Sequence, residues 1–269
     1  MNGHLTAITA FRLTTAEPER LACFYKGLGF EAGARERIPD DEIALLGLHR
    51  GGTRLPLSLG EQRIDLDTFE DLGRPYPAVA TSADLLFQHL ALVTDDVAAV
   101  WARAVALGAA PISTEGPVTL PASTGGVTAL KFRDTEGHPL ELLQFPSKAE
   151  GCRRGTELLG IDHSAISVSD ASTSRRFYQA LGLSVQRPTL NHGSTQIALD
   201  GLPEVEVHVV PMIPRQATPH LELLAYDKPV GRSAGRLEAN DVAATRIVWA
   251  ADRDALVRDP DGHLHLLRG

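Results

Sequence analysis

Residues 160–170 read Gly-Ile-Asp-His-Ser-Ala-Ile-Ser-Val-Ser-Asp, and residues 177–183 read Phe-Tyr-Gln-Ala-Leu-Gly-Leu. From His163 onward, side chains alternate between two faces with the two-residue period of a half-buried strand. Asp170 or Ser172 can cap a following helix, and the glycine of the second segment stands where helices often end on a left-handed residue. The stretch therefore predicts a strand and a helix, with further strands after them.

The same unit occurs near the N-terminus. Residues 10–14 read Ala-Phe-Arg-Leu-Thr, and residues 24–30 read Phe-Tyr-Lys-Gly-Leu-Gly-Phe. The first residue of each strand precedes the Phe-Tyr pair of its helix by the same interval in both copies. The chain is therefore interpreted as an internal repeat.

Four modules follow this plan. The second has a strand at residues 89–93, a helix from Val97 to about Leu107 and a closing hairpin around residues 134–138. The fourth begins at His220, and its end, Arg-Asp-Pro-Asp-Gly-His, copies Arg-Asp-Thr-Glu-Gly-His of the second. Its helix is predicted to be short or lost, because Pro and several Gly interrupt the segment. Further strands are predicted at residues 43–48, 54–59 and 62–69 in the first module and at 195–199 and 205–210 in the third.

The modules suggest two domains of two modules each. Residues 1–146 form the predicted N-terminal domain with modules one and two, and residues 160–269 form the C-terminal domain with modules three and four. Residues 147–159 are mostly polar and contain glycine, so they are predicted to be a linker.

Composition excludes several classes of partner. The chain has 269 residues, 43% of them hydrophobic, and a formal net charge of −8 without a basic stripe, which argues against nucleic acid. No apolar run is long enough to span a membrane, and the N-terminus lacks the zones of a signal peptide. With only two cysteines, a disulfide framework is not implied, and a cytoplasmic location is expected.

A first strand, a helix ending in Phe-Tyr-x-x-Leu-Gly and a hairpin of the Asp-x-x-Gly-His-x-x-Glu-Leu kind resemble the vicinal oxygen chelate superfamily. That superfamily includes glyoxalase I, extradiol dioxygenases, methylmalonyl-CoA epimerase, and bleomycin and fosfomycin resistance proteins. The resemblance implies an α+β fold with four βαβββ modules, paired into two domains whose curved mixed sheets surround a cavity. It also implies a divalent metal held by first and last strands.

The ligand positions of the superfamily can be carried over to this sequence. The first-strand position falls, in modules one to four, on Ala10, His89, His163 and His220. The last-strand position falls on Asp65 in module one, Glu141 in module two, Glu206 or His208 in module three, and Leu266 or, with a shorter turn, His265 in module four. Strand register in the last two modules stays open.

Pairing of consecutive modules would give two sites. The N-terminal site would hold Asp65, His89 and Glu141, with Arg12 nearby to bind a substrate anion. The C-terminal site would hold His163, His220 and either Glu206 or His208, with Glu222 on the His220 face. The shorter turn in module four would add His265. Pairing of modules two and three would instead bring together His89, Glu141 and His163.

Imidazole and carboxylate ligands suit Fe²⁺, Zn²⁺, Mn²⁺ or Ni²⁺. The resemblance implies a glyoxalase- or dioxygenase-like enzyme that acts on a small oxygen-rich molecule by isomerase, lyase or ring-cleaving dioxygenase chemistry. Glu141 or Glu206 would transfer a proton when not ligating. The alternative is a metal-free small-molecule binding protein of the bleomycin-resistance type, which Ala10 favours and the retained histidines oppose. The chain is expected to be a monomer or a homodimer.

Overall fold

The computed structural model describes residues 4–146 and 157–269. The strands of the first half are β1 (Ala7–Thr14), β2 (Glu31–Ala32), β3 (Glu36–Arg37), β4 (Gly52–Leu59), β5 (Gln62–Phe69), β6 (Gln88–Thr94), β7 (Ala110–Pro111), β8 (Val118–Thr119), β9 (Thr128–Arg133) and β10 (Pro139–Gln144). Those of the second half are β11 (Leu158–Val168), β12 (Ser184–Val185), β13 (Thr189–His192), β14 (Glu206–Ile213), β15 (His220–Lys228), β16 (Arg246–Ala250), β17 (Ala255–Arg258) and β18 (Leu264–Arg268). The helices are α1 (Pro18–Leu28), α2 (Asp40–Leu45), α3 (Val97–Ala106), α4 (Ala171–Ala180) and α5 (Ser194–Asp200), with a short 3-10 turn at Ala122–Thr124.

The strands form two mixed sheets, which confirms the predicted α+β fold with curved mixed sheets. The first sheet has the order β17-β18-β16-β1-β5-β4-β2, with β3 beside β4. The second has the order β12-β14-β15-β11-β6-β10-β9-β7, with β13 beside β14 and β8 beside β9. We call them sheet A and sheet B.

Each sheet takes strands from both halves of the chain. In sheet A, β1 pairs with β16, and in sheet B, β6 pairs with β11, both antiparallel. Module one therefore pairs with module four and module two with module three. The predicted pairing of consecutive modules is wrong, and the alternative pairing is the one observed. Most of the predicted linker, residues 147–156, lies outside the described residues, and β11 begins before the predicted end of that linker.

The border between modules three and four also differs from the prediction. β15 runs parallel to β11 and directly beside it, as β10 does beside β6. It is therefore the closing strand of module three and not the opening strand of module four. Module four begins at β16 and, within its described residues, has no helix before β17. The segment interrupted by Pro and Gly, on which the predicted loss of that helix rested, precedes β16 and connects module three to module four.

The helices α1, α3 and α4 lie where the sequence predicted them, but α2 and α5 occupy segments that were predicted to be strands. Both short helices carry the sequence Ile-Ala-Leu, at residues 43–45 and 197–199. A short apolar run of this kind does not distinguish a strand from a buried helix. Among the helices of the described ranges, none has the length and apolar character needed to cross a membrane.

The Phe-Tyr motif joins the two modules of each half. The Tyr25 hydroxyl donates to Asp134 Oδ2 at 3.1 Å, and the Tyr178 hydroxyl donates to Asp259 Oδ2 at 3.0 Å. Both carboxylates belong to the Asp-x-x-Gly-His turns, so the helix of one module is tied to the closing turn of the next. His138 of the first turn contacts Asp134 and the backbone of β1, which gives this histidine a structural role.

Candidate metal centre

Two histidines and two glutamates converge at the middle of sheet B. Glu141 Oε2 lies 2.9 Å from His89 Nε2 and 3.8 Å from His163 Nε2. Glu222 Oε2 lies 3.5 Å from His163 Nε2. Donor atoms that share one ion at about 2.0–2.2 Å are expected about 3–3.5 Å apart. Donor atoms of His89, Glu141 and His163 all lie within 4.8 Å of one another, and Glu222 approaches this set through His163. We call the four side chains the His/Glu quartet.

Strand register explains this convergence. In β6 and β10, Glu141 lies opposite Ala91, two residues beyond His89. In β11 and β15, Glu222 lies opposite Ala165, two residues beyond His163. The two histidines lie on the central strands and the two glutamates on the flanking strands, so the antiparallel pairing of β6 with β11 relates the two pairs by an approximate two-fold axis.

The orientation of His89 fits a metal ligand. Both of its ring nitrogens are buried, and neither makes a hydrogen bond within the described residues, although Nε2 is close to Glu141. His89 Nε2 and Glu141 Oε2 are therefore close together without the angle of a hydrogen bond. Buried polar groups are nearly always hydrogen-bonded, and an ion would satisfy this one. His163 Nδ1 lies 2.9 Å from Asp162 Oδ2, the kind of carboxylate contact that orients a ligating histidine through its other nitrogen.

The electrostatics show that the quartet attracts a cation. Burial opposes a charge on His163, but the carboxylates of Glu222, Asp162 and Glu141 outweigh it and raise the pKa of His163 to about 9. Burial likewise opposes the charge of Glu222, yet His163 and neighbouring histidines lower its pKa to about 2. At His89 burial dominates and lowers the pKa. The metal-free quartet therefore holds two carboxylates, one neutral imidazole and one proton on His163.

The quartet opens into a cavity of about 320 Å³. This volume is at the small end of the range for ligand pockets, about 300–1,000 Å³. Its apolar wall consists of Leu120, Val127, Leu143, Phe145, Leu199, Val207, Val209, Pro211 and Leu224, and its other polar residues are Thr124, Lys131, Asp162, Thr189, Asn191, Gln196 and Tyr226. The cavity can therefore hold a compact, largely apolar molecule with oxygens directed at the quartet.

A buried lysine accompanies the quartet. Lys131 lies opposite Glu141 in the β9–β10 pair, and its Nζ donates to Asp200 Oδ1 at 2.6 Å. Burial alone would lower the pKa of Lys131, but Asp200 and Glu141 outweigh that effect and raise it. Lys131 is therefore a permanent cation in the cavity wall at neutral pH.

His220 lies beside the quartet. It is opposite His163 in the β11–β15 pair, and its Nε2 is 3.5 Å from Glu222 Oε1. Donor atoms of Asp162, His163 and His220 also lie within 4.8 Å of one another. In the equivalent place beside Glu141 the chain has Pro139, so His220 has no counterpart in the symmetric half of the quartet.

Sheet A has lost the equivalent centre. In the parallel strand pairs of sheet A, Arg12 lies opposite Asp65 and Val248 lies opposite Leu266. Arg12 also lies opposite Arg246 in the antiparallel pair of sheet A, as Ala165 lies opposite His89 in sheet B. The four ligand positions of sheet A are therefore occupied by Ala10, Asp65, Arg246 and Leu266. Three of the four residue types differ in kind from those of the quartet, so sheet A does not repeat the two-His, two-Glu set.

An ion-pair network fills that position instead. Arg54 donates to Asp67 at 2.7 Å and to Glu42 at 2.6 Å, and Arg246 donates to Asp67 at 3.1 Å. Arg12 is also paired with Glu42. Glu42 belongs to α2, which occupies the place that α5 occupies beside the cavity of sheet B. The interior of sheet A is therefore closed by its own charges.

Several predicted site residues lie outside the quartet. Arg12 and Asp65 are buried in the network of sheet A and do not line the cavity of sheet B, so neither joins His89 and Glu141 as predicted. Glu206 is exposed and pairs with Lys228 at 2.9 Å, because residues 207, 209 and 211 are the ones that face the cavity. His208 pairs with Asp227 near the surface.

His265 is likewise not near the quartet. It lies on the helix-facing side of β18, where Trp249 Nε1 donates to its Nδ1 at 3.0 Å. Its Nε2 lies 2.8 Å from the Tyr178 hydroxyl. These two bonds fix the neutral tautomer, and burial lowers the pKa of His265 to about 4. His265 is therefore part of the core.

The sequence placed His89, Glu141 and His163 together in one alternative, gave Glu222 only as a residue on the His220 face, and gave no indication of Lys131. A signal for Glu222 was present. Residues 140–143 and residues 221–224 both read Leu-Glu-Leu-Leu. This identity marks two equivalent closing strands and therefore two equivalent glutamates. Lys131 carried no comparable signal.

A larger cleft of about 670 Å³ lies elsewhere, between the β4–β5 turn and the start of β11. Ala10, Arg63 and Asp162 are among its lining residues, but no member of the quartet is. We therefore assign the candidate site to the smaller cavity, where the titratable groups converge.

Comparisons with known proteins agree with this fold. A family model described as the Glyoxalase/Bleomycin resistance protein/Dioxygenase superfamily matches residues 4–142. A mutant of glyoxalase I from Zea mays aligns with 97% of this chain and 92% of its own, at 17% identity and a TM-score of 0.63. A candidate dioxygenase from Bacillus subtilis aligns with 98% of this chain and 85% of its own, at 12% identity and a TM-score of 0.59. At these identities the likeness concerns the fold. No curated protein matched.

Proposed function

The chain belongs to the glyoxalase, bleomycin resistance protein and dioxygenase superfamily, and on this premise we propose that it is a metal-dependent isomerase or lyase. The observation that carries the proposal is the His/Glu quartet with its unsatisfied His89. The ligands would be His89, Glu141, His163 and Glu222, a set suited to Zn²⁺, Ni²⁺, Mn²⁺ or Fe²⁺. The substrate would be a small oxygen-rich molecule bound in the cavity.

The chemistry follows from the arrangement of the four groups. A bound divalent ion supplies Lewis-acid polarisation of a carbonyl or of two vicinal oxygens. Glu141 and Glu222 flank the two histidines on separate strands, so either carboxylate is placed to remove a proton from a carbon beside that carbonyl. The same carboxylate can return the proton to the neighbouring carbon, and the apolar wall keeps water away from it.

Ring-cleaving oxygen chemistry is the second candidate. Within the quartet, His89, Glu141 and His163 have donor atoms within 4.8 Å of one another. Two histidines and one carboxylate are the set used by non-haem iron enzymes that activate oxygen. We rank it below proton transfer because a second carboxylate, Glu222, is 3.5 Å from His163 and fills the quartet.

The test is metal content of protein purified without chelator or affinity nickel. We expect about one divalent ion per chain in the unchanged protein, loss of that ion in His89→Ala and Glu222→Ala, and retention in Glu206→Gln. The last is a matched control because Glu206 is an exposed glutamate on the neighbouring strand. His220→Ala should keep the ion, since His220 lies outside the quartet.

Activity distinguishes the two chemistries. Incubation of the loaded protein with 2-oxoaldehydes, which are hydrated in water, should give the isomeric 2-hydroxy acids, whereas catechols under air should remain unchanged. Oxygen uptake with catechols would reverse that ranking. If no preparation binds Fe²⁺, Zn²⁺, Mn²⁺ or Ni²⁺, the enzyme proposal is wrong and the metal-free binding protein takes its place.

A further inference from the structure

The ammonium group of Lys131 has hydrogen-bonding capacity that the protein does not use. A lysine offers three donors, and within the described residues its Nζ makes one hydrogen bond, to Asp200. The side chain is only 4% exposed and lines the cavity that contains Glu141 and His163. Two of its three N–H groups therefore have no protein acceptor within the described residues, in a side chain that lines the cavity.

Asp200 holds Lys131 in a fixed position. Gln196 Nε2 and the Tyr226 hydroxyl both donate to Asp200 Oδ2, at 2.9 and 3.0 Å, while Lys131 takes Oδ1. Asn191 in turn donates to Gln196 at 3.3 Å. Because each of these side chains is hydrogen-bonded to the next, the ammonium group of Lys131 is positioned before any ligand binds.

Comparison of the two sheets links this lysine to the quartet. Lys131 lies opposite Glu141 in sheet B, and the equivalent pair in sheet A is Leu256 opposite Leu266. The segment Gln-Ile-Ala-Leu-Asp-Gly-Leu at residues 196–202 matches Glu-Ile-Ala-Leu-Leu-Gly-Leu at residues 42–48. The equivalent of Asp200 is thus Leu46. Both the buried lysine and its partner are present in the sheet that has the quartet and replaced by leucine in the other.

We propose that Lys131 is a substrate-binding residue and that the ligand is a compact carboxylate with an apolar body, of the 2-oxo or 2-hydroxy acid class. The apolar wall receives the body of the molecule, and the unused N–H groups of Lys131 donate to its carboxylate. This inference rests on the proposed function, because it assumes that the metal centre contacts the oxygen on the carbon next to the ligand's carboxylate. A neutral ester of equal size offers these donors only uncharged acceptors and no charge to balance the ammonium group, so the site should bind it more weakly than the carboxylate.

The test compares two probes of similar shape, benzoylformate and its neutral methyl ester, by calorimetry on zinc-loaded and on metal-free protein. We expect benzoylformate to bind at least tenfold more tightly than the ester. The variant Lys131→Met/Asp200→Asn should lose that preference, because it removes the cation together with its counter-ion. The introduced Asn side chain can still accept hydrogen bonds from Gln196 and Tyr226, so the double variant should fold. Lys131→Met alone would leave Asp200 buried without its counter-ion and would destabilise the protein. Lys228→Met is the control for loss of an exposed lysine.

Each outcome has one meaning. Loss of the carboxylate preference in the double variant, with its zinc content and melting temperature close to those of the unchanged protein, supports the inference. Equal binding of the two probes, no binding of benzoylformate, or an unchanged preference in the double variant would overturn it. If no preparation binds metal but benzoylformate still binds the metal-free protein through Lys131, the proposed enzyme fails while the carboxylate site stands.

Discussion

Metal binding to the quartet should depend steeply on pH, because the ion has to displace the proton on His163. In the metal-free protein the surrounding carboxylates raise the pKa of His163 to about 9. Burial lowers the pKa of His89, so that ring already has its lone pairs available at neutral pH. Metal binding at pH 7 is therefore expected to release one proton, from His163 alone.

The size of the effect follows from this value. With a pKa of about 9, roughly one molecule in a hundred has a neutral His163 at pH 7, so the apparent affinity should be about 100-fold below its plateau. It should rise about tenfold per pH unit between pH 7 and 8.5 and level off above about pH 9.

The same proton affects the stability of the metal-free protein. Because the folded pKa is raised above the ordinary value of 6.5, the proton stabilises the fold fully below pH 6.5, and this contribution is lost as pH rises through about 9. The loss amounts to about 3 kcal/mol over that interval. Zinc-loaded protein should not show this alkaline loss, since its His163 is already deprotonated.

Competition with a chromophoric zinc chelator between pH 6.5 and 9 measures the affinity, and calorimetry in buffers of different ionisation enthalpy counts the protons. His208→Gln serves as the control, because His208 is a partly exposed histidine paired with Asp227 and far from the quartet. An affinity that stays constant from pH 7 to 8.5, with no proton released, would refute the assignment of the proton to His163. Release of two protons would show that His89 is also charged.

Three further predictions concern stability. Arg246→Met should reduce the free energy of urea unfolding by about 3–5 kcal/mol, because it leaves buried Asp67 short of one cation. Arg63→Gln, at the exposed edge of the same network, should reduce the free energy of unfolding by less than about 1 kcal/mol. The pKa of His265 is lowered to about 4, so its contribution is present above pH 6.5 and is lost as pH falls toward 4, by about 3 kcal/mol; His265→Gln should flatten the unfolding free energy over that range. Asp96→Ala should reduce thermal stability by about 1 kcal/mol, because Asp96 accepts from the Ala99 backbone N–H at 2.9 Å as the cap of α3, whereas an equal loss in the exposed neighbour Asp95→Ala would contradict this reason.

The fold could be predicted because its motifs are local. Each motif spans only a few residues: the apolar stripe of a helix, the Asp or Gly at its ends, and the Asp-x-x-Gly-His turn. These motifs identify the modules without knowledge of tertiary contacts. The short helices α2 and α5 could not be predicted with the same rules. Their apolar runs, such as residues 43–48, suit a strand equally well, and only packing against a sheet interior decides between the two.

The site was harder to predict because it depends on which modules pair. His89, Glu141 and His163 carry the correct residue types, but they come together only through the antiparallel pairing of β6 with β11. The choice of Glu206 failed because β14 was taken as a closing strand, although β15 closes module three. A one-position or one-strand error of this kind changes the face of every side chain.

The two sheets show why one chain has one candidate centre. Ala165, Val209 and Leu224 of sheet B correspond by register to Arg12, Arg54 and Asp67 of sheet A, and Val209 and Leu224 line the cavity. In sheet B small and apolar residues leave room for a ligand beside the quartet. In sheet A charged side chains fill that room and pair with one another.

The buried charged residues of sheet A balance one another only when all of them are present. Three buried cations, Arg12, Arg54 and Arg246, face three buried anions, Glu42, Asp65 and Asp67, so the interior of sheet A is balanced without a ligand. Removing one partner of a buried pair costs far more than replacing the whole set with apolar residues. A single substitution therefore cannot convert sheet A into a second metal centre, and histidines placed at Ala10 and Arg246 would meet an unbalanced Asp67. The charges of both sheets thus explain why the proposed metal site lies at sheet B and not at sheet A.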